Sequence, residues 1–472
     1  MKRQKILLYN PKAVFFDMPL ALLAIASMLD ESRYEIIIVD GRVDEKPLQL
    51  LLDHAEEALC FGVTSLTGAP LRDALHVTQA VKARCPKLPI IWGGWHTSLF
   101  AKETLRDEPA IDISVQGQGE ATFRELVACL ESGADLAHVN GICYRDASGE
   151  IIQNPGRALE DMNFLPRVNY ELINVERYFT LKKRRQFDYI SSTGCRFRCT
   201  FCADPFVFGR KWTAIQPDRM GEELAHWQKR YQFTDINFQD ETFFTKRQRV
   251  TRIAEEFLER GVESSWAGTM RADQGSRMTD DDFDICRKAG LRRVLVGVES
   301  GSQEMMDWLS KDIKIEQVYE TGRRCAARDI NVIFPFIVGF PNETDSSFRE
   351  TLRVARELNA MHPGFTTPIF YFKPYPGSKI TQDVVAQGYT LPQTISEWAD
   401  FDYIGSSGPW VSDEKYRMVE RFKFYNKLAG RRSQWFLQPL QWLAELRCRS
   451  NFFALPVEKV LAQLLLPQQQ LS

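Results

Sequence analysis

Residues 191–202 read Ser-Ser-Thr-Gly-Cys-Arg-Phe-Arg-Cys-Thr-Phe-Cys, a short segment that holds three thiols and has no fourth cysteine nearby. The thiols are those of Cys195, Cys199 and Cys202. A four-iron cluster needs one ligand for each iron, so three thiolates leave one iron open to a small molecule, whereas electron-carrier clusters usually take four cysteines. Gly194 permits a tight loop around such a cluster, and Arg196 and Arg198 would favour thiolates over thiols. The segment therefore predicts a reactive iron–sulfur site.

Two other interpretations of these cysteines remain open. Cysteines at i, i+4 and i+7 share one face of a helix and could be buried there, although Gly194 and two arginines do not make an apolar face. A structural zinc site is the second alternative. Zinc sites more often pair Cys-x-x-Cys with a second, distant pair, and the sequence offers no such pair.

The spacing Cys-x-x-x-Cys-x-x-Cys, with Phe201 directly before the last cysteine, resembles the cluster motif of the radical S-adenosylmethionine (SAM) superfamily. The resemblance implies that the three cysteines are catalytic and hold a 4Fe-4S cluster, and that Phe201 contacts SAM. It also implies that the open iron chelates SAM and that the reduced cluster cleaves the sulfonium to a 5'-deoxyadenosyl radical.

Composition limits the class of protein. A chain of 472 residues can form two or three domains, each with its own core. The formal net charge of −2 gives no overall field that would suggest a nucleic-acid partner. Ten cysteines in a chain of this length are not a disulfide scaffold. No signal peptide opens the sequence, so we expect a reducing cytoplasm, which the cluster would need.

Strand and helix patterns alternate through residues 1–140. Apolar runs typical of buried strands lie at 6–9, 34–40, 58–63, 88–92 and 111–115. Repeated alternation of this kind predicts an α/β fold with a doubly wound, Rossmann-like parallel sheet. Ligands of such sheets bind beyond the carboxyl ends of the strands.

Three loops at those strand ends are rich in small and polar residues. They contain Ser65, Leu66 and Thr67, then Gly93, Gly94, Trp95 and His96, then Gly117, Gly119 and Glu120. Glycines let a bulky planar ligand approach the backbone, and hydroxyls and amides can bond its side chains. Each loop alone could be an ordinary turn. As a set, they resemble the cobalamin-binding domain of the cobalamin-dependent radical SAM group, which implies that these residues contact cobalamin.

One departure from the cobalamin proteins concerns the cobalt ligand. Those that ligate cobalt through histidine carry Asp-x-His-x-x-Gly after the first strand, whereas residues 10–17 read Asn-Pro-Lys-Ala-Val-Phe-Phe-Asp. We therefore expect no histidine ligand from this loop. His96 is expected to support a turn or a corrin amide rather than to ligate cobalt.

Residues 141–185 are predicted to be a connector, with a hairpin turn at 146–149. Strand and helix alternate again through residues 186–400, which predicts an open or partial (β/α) barrel. Its first strand, at 187–191, would deliver the cysteine segment at its carboxyl end, the edge at which such folds place active sites.

Polar residues at later strand ends of this region resemble SAM-binding positions of the radical SAM superfamily. They are Asp240, Glu241, Arg271, Glu299, Ser300 and Gly339. The resemblance implies that Asp240 or Glu241 accepts from the amino group of SAM. The guanidinium of Arg271 could pair bidentately with a carboxylate such as that of SAM. The resemblance further implies that Glu299 suits the ribose hydroxyls and that Gly339 lies on the strand beside the adenine. Each of these residues taken alone could be a surface or capping group.

Residues 401–472 are predicted to be a helical C-terminal region, rich in bulky apolar residues beyond 431. No apolar run reaches the length needed to span a bilayer. The region could be a helical cap on the core, or an interfacial element that makes peripheral membrane contact near a hydrophobic substrate.

The combined resemblance implies an enzyme that methylates an unactivated carbon of a small molecule, through a 5'-deoxyadenosyl radical and methylcobalamin. The apolar C-terminal region favours a hydrophobic substrate. An electron donor of the flavodoxin or ferredoxin type would be its protein partner. Anaerobic oxidative cyclisation or oxygen insertion is an alternative reaction. A non-catalytic cobalamin or iron–sulfur sensor is an alternative of another class.

Overall fold

The computed structural model describes residues 3–401, 408–430 and 438–453. Contacts between residues divide the chain into two compact units. The described residues of unit 1 are 3–196, 202–239 and 375–401, and those of unit 2 are 197–201, 240–374, 408–430 and 438–453.

The strands and helices of unit 1 alternate along most of its length. Its strands are β1 (Gln4–Asn10), β2 (Tyr34–Asp40), β3 (Ala58–Ser65), β4 (Ile90–Gly94), β5 (Ile113–Val115), β6 (Ile142–Arg145), β7 (Ile151–Gln153), β8 (Gln186–Tyr189), β9 (Ser192–Gly194), β10 (Trp212–Ala214) and β11 (Asp235–Phe238). Its helices are α1 (Leu20–Ala26), α2 (Pro47–Ala55), α3 (Ala69–Arg84), α4 (Trp95–Leu99), α5 (Ala101–Asp107), α6 (Glu120–Ser132), α7 (Val175–Lys182), α8 (Asp204–Val207), α9 (Pro217–Tyr231), α16 (Lys379–Ala386) and α17 (Ile395–Ala399). Short 3-10 turns lie at Leu136–His138, Met162–Phe164 and Tyr170–Leu172.

The main sheet of unit 1 has the strand order β2-β1-β3-β4-β5-β6-β7. The first five strands in that order pair in parallel, and β6 and β7 extend the edge in antiparallel fashion. The strand order reverses direction at β1, as in a doubly wound sheet. The predicted fold of residues 1–140 is confirmed, and so is the hairpin predicted at 146–149.

Both faces of this sheet are buried, which explains why its strands are apolar runs rather than alternating ones. Successive side chains of a strand point to opposite faces. Leu7 and Tyr9 of β1 accordingly lie in one core cluster, beside residues of α2 and α3. Ile6 and Leu8 lie in the cluster on the other face, beside residues of α1 and α6.

The segment 375–401 adds to the core of unit 1. Ile395, Trp398 and Ala399 of α17 are buried in the same cluster as Leu7 and Tyr9. Trp398 packs against Phe100 with 4.9 Å between ring centres, and its carbonyl accepts from the Gly68 amide at 3.1 Å. Residues far apart in sequence therefore stabilise the loop that follows β3.

Unit 2 is a second α/β assembly. Its strands are β12 (Ser265–Arg271), β13 (Leu291–Gly297), β14 (Asn331–Ile333), β15 (Phe336–Val338), β16 (Phe365–Thr366) and β17 (Ile369–Tyr371). Its helices are α10 (Arg247–Glu259), α11 (Ala272–Arg277), α12 (Asp280–Lys288), α13 (Gln303–Trp308), α14 (Ile315–Ala326), α15 (Asp345–Met361), α18 (Asp413–Ala429) and α19 (Gln438–Ser450), with a 3-10 turn at Phe243–Thr245.

Strands β12, β13, β14 and β16 are parallel neighbours in that order, and β15 pairs in parallel with β17. Helices follow β12, β13 and β15, in keeping with the predicted β/α succession, whereas β14 leads into β15 and β16 into β17. Several helices begin at side-chain caps, where a hydroxyl accepts from an otherwise unpaired amide. Thr279 caps α12, Thr344 caps α15 and Ser412 caps α18.

The predicted C-terminal helical region is present as α18 and α19. Ala444 and Cys448 of α19 are buried, whereas Trp442 and Leu446 are 65% and 49% exposed. Among the described helices, none combines the length and the apolar character required to cross a bilayer. The apolar residues predicted beyond 453, and those at 431–437, lie outside the described residues.

Candidate functional site

The segment that carries the cysteines begins in a β-hairpin of unit 1. Strands β9 and β10 pair in antiparallel fashion, and Gly194 lies opposite Trp212. Gly194 has φ +86°, and a Cβ at this position would overlap the carbonyl oxygen of Lys211. Only glycine combines this φ with so close an approach of two backbones. Cys195 leaves the hairpin immediately after this turn.

All three cysteines are partly exposed and free of disulfides, as a loop that receives a cluster requires. Cys202 lies beside Asp204 at the start of α8. Burial raises the pKa of Asp204, and its hydrogen bond with the Cys202 thiol acts in the opposite direction. Cys195 and Cys202 belong to unit 1, and Cys199 belongs to unit 2.

Arg271 is a buried cation beside Cys199. Its Nη1 lies 3.6 Å from Cys199 Sγ, and its guanidinium carbon lies 3.8 Å from the ring centre of Phe197. Nε donates to Asp273 Oδ1 at 2.9 Å, and Nη2 donates to the carbonyl of Lys311. The guanidinium is therefore already held on several sides, and it directs positive charge at a cysteine sulfur.

Lys311 is a second buried cation beside Cys199, and the sequence analysis missed it. Its side chain is 7% exposed, and Nζ donates to Glu299 Oε1 at 2.6 Å. Burial alone would lower the pKa of Lys311, but the negative charge of Glu299, with a smaller electrostatic contribution from Cys199, outweighs it, so the pKa is raised and the ammonium persists. Nζ also lies 5.5 Å from the ring centre of Phe201. A single lysine between two helical patterns gives no sequence signal.

The loop 309–312 contacts the cysteine segment within unit 2. The Thr200 amide donates to the Leu309 carbonyl at 2.9 Å, and Arg198 donates twice to Asp312, at 2.8 and 2.9 Å. Ser310 and Asp312 have φ of +49° and +54°, a conformation rare outside glycine. These two residues turn the chain on either side of Lys311 and thereby direct the Lys311 side chain towards Cys199 and Glu299.

The predicted ribose residue, Glu299, follows β13 and is itself at φ +67°. It is 8% exposed and shares its carboxylate with Lys311. Its neighbour Ser300 is 1% exposed, and its hydroxyl lies 3.1 Å from Thr351 Oγ1. The structure thus assigns the Ser300 hydroxyl an internal partner.

The remaining residues predicted to contact SAM also lie in unit 2. Asp240 is 2% exposed, and its carbonyl accepts from Thr269 Oγ1 at 2.8 Å, while Glu241 is partly exposed. Gly339 follows β15 with φ +83°. The ring of Phe201 meets that of Phe340 at 6.3 Å, edge to face. Unit 2 therefore contains Phe201, Arg271, Glu299 and Gly339 together with Cys199.

The residues of this region fit an iron–sulfur cluster by the chemistry of the donor set. Three thiols lie within eight residues of the sequence, and buried Arg271 and Lys311 place positive charge beside Cys199. Within the described ranges, no group of three or more His, Cys, Asp or Glu side chains is arranged around a single metal ion. A cluster makes a different demand, because each thiolate binds a separate iron.

In unit 1, the three loops predicted to contact cobalamin follow adjacent strands. The register pairs Ser65 with Gly94, and the Ser65 hydroxyl donates to the Gly93 carbonyl at 2.8 Å. Gly94 has φ +102°, and a Cβ there would lie 2.7 Å from the Ser65 carbonyl oxygen. Two neighbouring loops are therefore in backbone contact at the carboxyl edge of the sheet. Leu66 is 39% exposed beside them.

The third loop connects to the second through Gly117, whose amide donates to Ser98 Oγ at 2.9 Å. Gly119 then precedes α6, whose first residue is Glu120. Burial raises the pKa of Glu120, and Glu160 raises it further. Trp95, from the second loop, meets Phe208 edge to face at 5.7 Å.

His96 is 1% exposed beneath these loops. Its Nδ1 lies 3.1 Å from the hydroxyl of Thr67, which is itself fully buried, and its ring contacts Phe100. Burial lowers the pKa of His96 to about 4, so the imidazole is neutral at pH 7. This environment suits a side chain that fixes the Thr67 loop.

Comparison with known proteins agrees with these two regions. Residues 189–355 match the model of the radical SAM superfamily, and residues 12–127 match the B12 binding domain. The chain is 26% identical over 412 residues to the uncharacterized methyltransferase PH0819 of Pyrococcus horikoshii, covering 85% of this chain and 86% of that protein. Its alignment with the cytidylyl-2-hydroxyethylphosphonate methyltransferase of Streptomyces wedmorensis is 503 positions long, shows 22% identity and covers 93% of each chain.

Other similarities are weaker in extent or concern the fold alone. The anaerobic magnesium-protoporphyrin IX monomethyl ester cyclase of Synechocystis is 25% identical over 340 residues, covering 71% of this chain and 67% of the cyclase. The structure of the cobalamin-dependent SAM radical enzyme OxsB with aqua-cobalamin and SAM bound superposes with a TM-score of 0.76 at 17% identity, covering 98% of this chain and 75% of OxsB.

The fold and the two domain matches define a radical SAM enzyme with a B12 binding domain ahead of its catalytic domain. The chain accordingly carries the radical SAM and B12 binding domains of the cobalamin-dependent radical SAM enzymes, and its cofactors are a 4Fe-4S cluster, SAM and cobalamin.

Gly194→Ala is expected to destabilise the protein and to lower its iron content after anaerobic reconstitution, because the new methyl group overlaps the Lys211 carbonyl. Gly149→Ala is a matched control, since Gly149 also has φ +86° but no atom lies within 4 Å of the added methyl group. The free energy of unfolding of the control should fall by only about 1 kcal/mol, the cost of a positive φ in a residue other than glycine. Equal urea midpoints and equal iron contents for the two variants would contradict the conclusion that the cysteine segment requires glycine at position 194.

Lowering the pH should destabilise unit 1, because the buried His96 imidazole must then be protonated. The unfolded chain binds a proton near pH 6.5, whereas the native imidazole binds it only near pH 4. The unfolded state therefore binds more protons in this window, and the free energy of unfolding falls as the pH falls from about 6.5 to about 4. Urea unfolding at several pH values should give a flatter dependence for His96→Gln than for wild type. Exposed His138→Gln should keep the wild-type slope.

Lys311→Met is expected to lower the free energy of unfolding by about 3 kcal/mol, because it leaves the Glu299 carboxylate buried without its partner. The double variant Glu299→Gln/Lys311→Met should recover most of this loss, since no unpaired charge remains. Lys314→Met removes an exposed pair with Asp307 from the same loop, at 3.7 Å, and should have little effect. A double variant no more stable than Lys311→Met would refute the pairing argument.

Proposed function

We propose that the protein is a C-methyltransferase that replaces a hydrogen on an unactivated carbon of a small molecule by a methyl group. The observation that carries the proposal is similarity over 93% of both chains to a named methyltransferase, in a chain that keeps the three-thiol loop. When bound, the three cofactors supply reductive cleavage of SAM, hydrogen abstraction and methyl transfer. The balanced reaction consumes the substrate, two molecules of SAM and two electrons, and yields methylated product, S-adenosylhomocysteine, methionine and 5'-deoxyadenosine.

The residues of the cysteine region have distinct proposed tasks. Cys195, Cys199 and Cys202 would hold three irons and leave one open for SAM. Arg271 and Lys311 would stabilise the thiolate of Cys199 by charge at short range in a poorly hydrated setting. Both cations are fixed by carboxylates and carbonyls, so little reorganisation is needed when the cluster changes charge.

Further residues of unit 2 would orient SAM at the open iron. We assign its amino group to Asp240 or Glu241 and its ribose to Glu299 and Ser300. Phe201 and the Gly339 turn would bracket the adenine. Arg271 is retained as the partner of the SAM carboxylate through Nη1, the nitrogen that faces Cys199 at 3.6 Å. Bidentate pairing is then unavailable, because Nε and Nη2 are already engaged.

The loops of unit 1 would bind cobalamin. Ser65, Leu66 and Thr67 and the glycines at 93, 94, 117 and 119 would bring backbone close to the corrin. Trp95, His96 and Glu120 would support the loops or bond its amide side chains. No histidine would ligate cobalt from residues 10–17, and His96 is buried against Thr67.

Three finer proposals concern substrate and partners. A flavodoxin or ferredoxin would supply the electrons. The substrate would be hydrophobic, and α19 would make peripheral membrane contact through exposed Trp442 and Leu446. If the full-length chain pellets with lipid vesicles and a chain ending at residue 430 does not, membrane contact is supported. If both chains remain equally soluble, the proposal of membrane contact is refuted.

A second reaction, oxidative cyclisation or oxygen insertion, is favoured by the similarity to the magnesium-protoporphyrin cyclase. The two reactions differ in their products. Methylation yields S-adenosylhomocysteine together with a methylated product, whereas cyclisation or oxygen insertion yields neither. A non-catalytic sensor would bind the cofactors without cleaving SAM.

Anaerobic reconstitution followed by iron, sulfide and corrin quantification and a SAM cleavage assay tests the proposal. We expect wild type to form 5'-deoxyadenosine when reduced. The triple Cys→Ala variant at 195, 199 and 202 should bind little iron and form none. Cys129→Ala, which removes a partly exposed thiol of unit 1, should behave as wild type. Iron-free wild type, or a triple variant that remains active, would refute the function.

A further inference from the structure

The turn after β15 is fixed from outside its own strand. Gly339 has φ +83°, and a Cβ at this position would overlap the side chain of Val411. The Gly339 amide donates to Glu343 Oε2 at 2.8 Å. The carboxylate of a residue four positions later therefore holds the backbone amide at the apex of the turn.

Glu343 depends in turn on Lys415 of α18. The Glu343 side chain is 1% exposed, and its Oε2 forms an ion pair with Lys415 Nζ. A buried carboxylate without a counter-charge would be costly, so this lysine stabilises the charged acceptor. Burial raises the pKa of Glu343, and Lys415 opposes that rise.

Lys415 is itself held in place. The Ser412 hydroxyl accepts from the Lys415 amide at 3.2 Å in the first turn of α18, and Lys415 Nζ lies 4.4 Å from the ring centre of Phe348. Its side chain is 14% exposed. The ammonium is thus positioned by a helix cap and an aromatic ring rather than left free in solvent.

The turn is also continuous with an aromatic cluster that reaches the cysteine segment. Phe340 contacts the rings of Phe372 at 4.9 Å, Trp308 at 6.1 Å and Phe201 at 6.3 Å. Phe201 directly precedes Cys202 in the chain. A displacement of the Gly339 turn would therefore reach, through Phe340, the ring of the residue that precedes Cys202 in the chain.

We propose that Lys415 is a positioning residue for SAM, acting through Glu343 on the backbone amide of Gly339. The inference rests on the proposed function, in which the Gly339 turn lies beside the adenine. Lys415 lies 60 residues beyond the end of the radical SAM family match at residue 355, in a helix to which that match assigns no role. The C-terminal helix α18 thereby becomes part of the SAM site in this chain.

The test is equilibrium binding of SAM to cluster-loaded, unreduced full-length protein. Lys415→Met should weaken SAM binding about tenfold at unchanged iron and sulfide content, because the acceptor on Gly339 loses its counter-charge. Lys415→Arg should stay within about twofold of wild type, since it restores the charge. Lys423→Met, which removes an exposed pair with Glu420 from the same helix, should bind SAM as wild type does.

Two double variants separate positioning from folding, since neither leaves a buried unpaired charge. Glu343→Gln/Lys415→Met keeps an oxygen that accepts from the Gly339 amide, and Glu343→Ala/Lys415→Met does not. The second should bind SAM about tenfold more weakly than the first. Equal dissociation constants for the two double variants, or wild-type affinity in Lys415→Met, would overturn the inference and leave the proposed function standing. Failure of wild type to bind and cleave SAM would instead remove the proposed function.

Discussion

Positive charge held out of water beside a thiol loop is the constraint on which the catalytic region depends. Arg271 and Lys311 are 7% and 6% exposed, and both are close to Cys199. Isolated charges at such depth would be prohibitively costly. Asp273 and Glu299 offset that cost, and the carbonyl of Lys311 occupies one guanidinium nitrogen. The result is a set of charges that is nearly balanced without the cluster and is already oriented to receive it.

Such an arrangement needs backbone that departs from ordinary geometry. Glu299, Ser310 and Asp312 all have positive φ, although none is glycine. Residues in this conformation cost free energy and persist only where the surroundings over-determine them. Here the surroundings are the ion pair with Lys311 and the two hydrogen bonds from Arg198. Ser310 and Asp312 place two of these strained residues in the loop that orients Lys311.

Two helices from the C-terminal part of the chain, α17 and α18, stabilise loops in units 1 and 2 respectively. In unit 1, α17 contributes Trp398 to the core and its carbonyl to the Gly68 amide, next to the loop that His96 holds through Thr67. In unit 2, α18 contributes Lys415 to the turn after β15. In each unit, a helix that lies beyond residue 355, where the radical SAM match ends, therefore stabilises loops that are proposed to bind a cofactor. Neither helix contains a sequence motif from which its contact with a distant loop could be predicted.

The sequence by itself determined the α/β class, the strands and hairpin of the first 153 residues, the presence of the B12 binding and radical SAM domains and the three-thiol segment, because these depend on local periodicity, short spacing and glycine placement. It could not determine which polar residues already have internal partners. The hydroxyl of Ser300 faces Thr351, and the guanidinium of Arg271 is largely engaged, although both matched a ligand-binding pattern. Only the tertiary structure brought Lys311 to Glu299 and Lys415 to Glu343, because pairing between buried charges is decided by how separate elements pack, and no periodicity within either element records it.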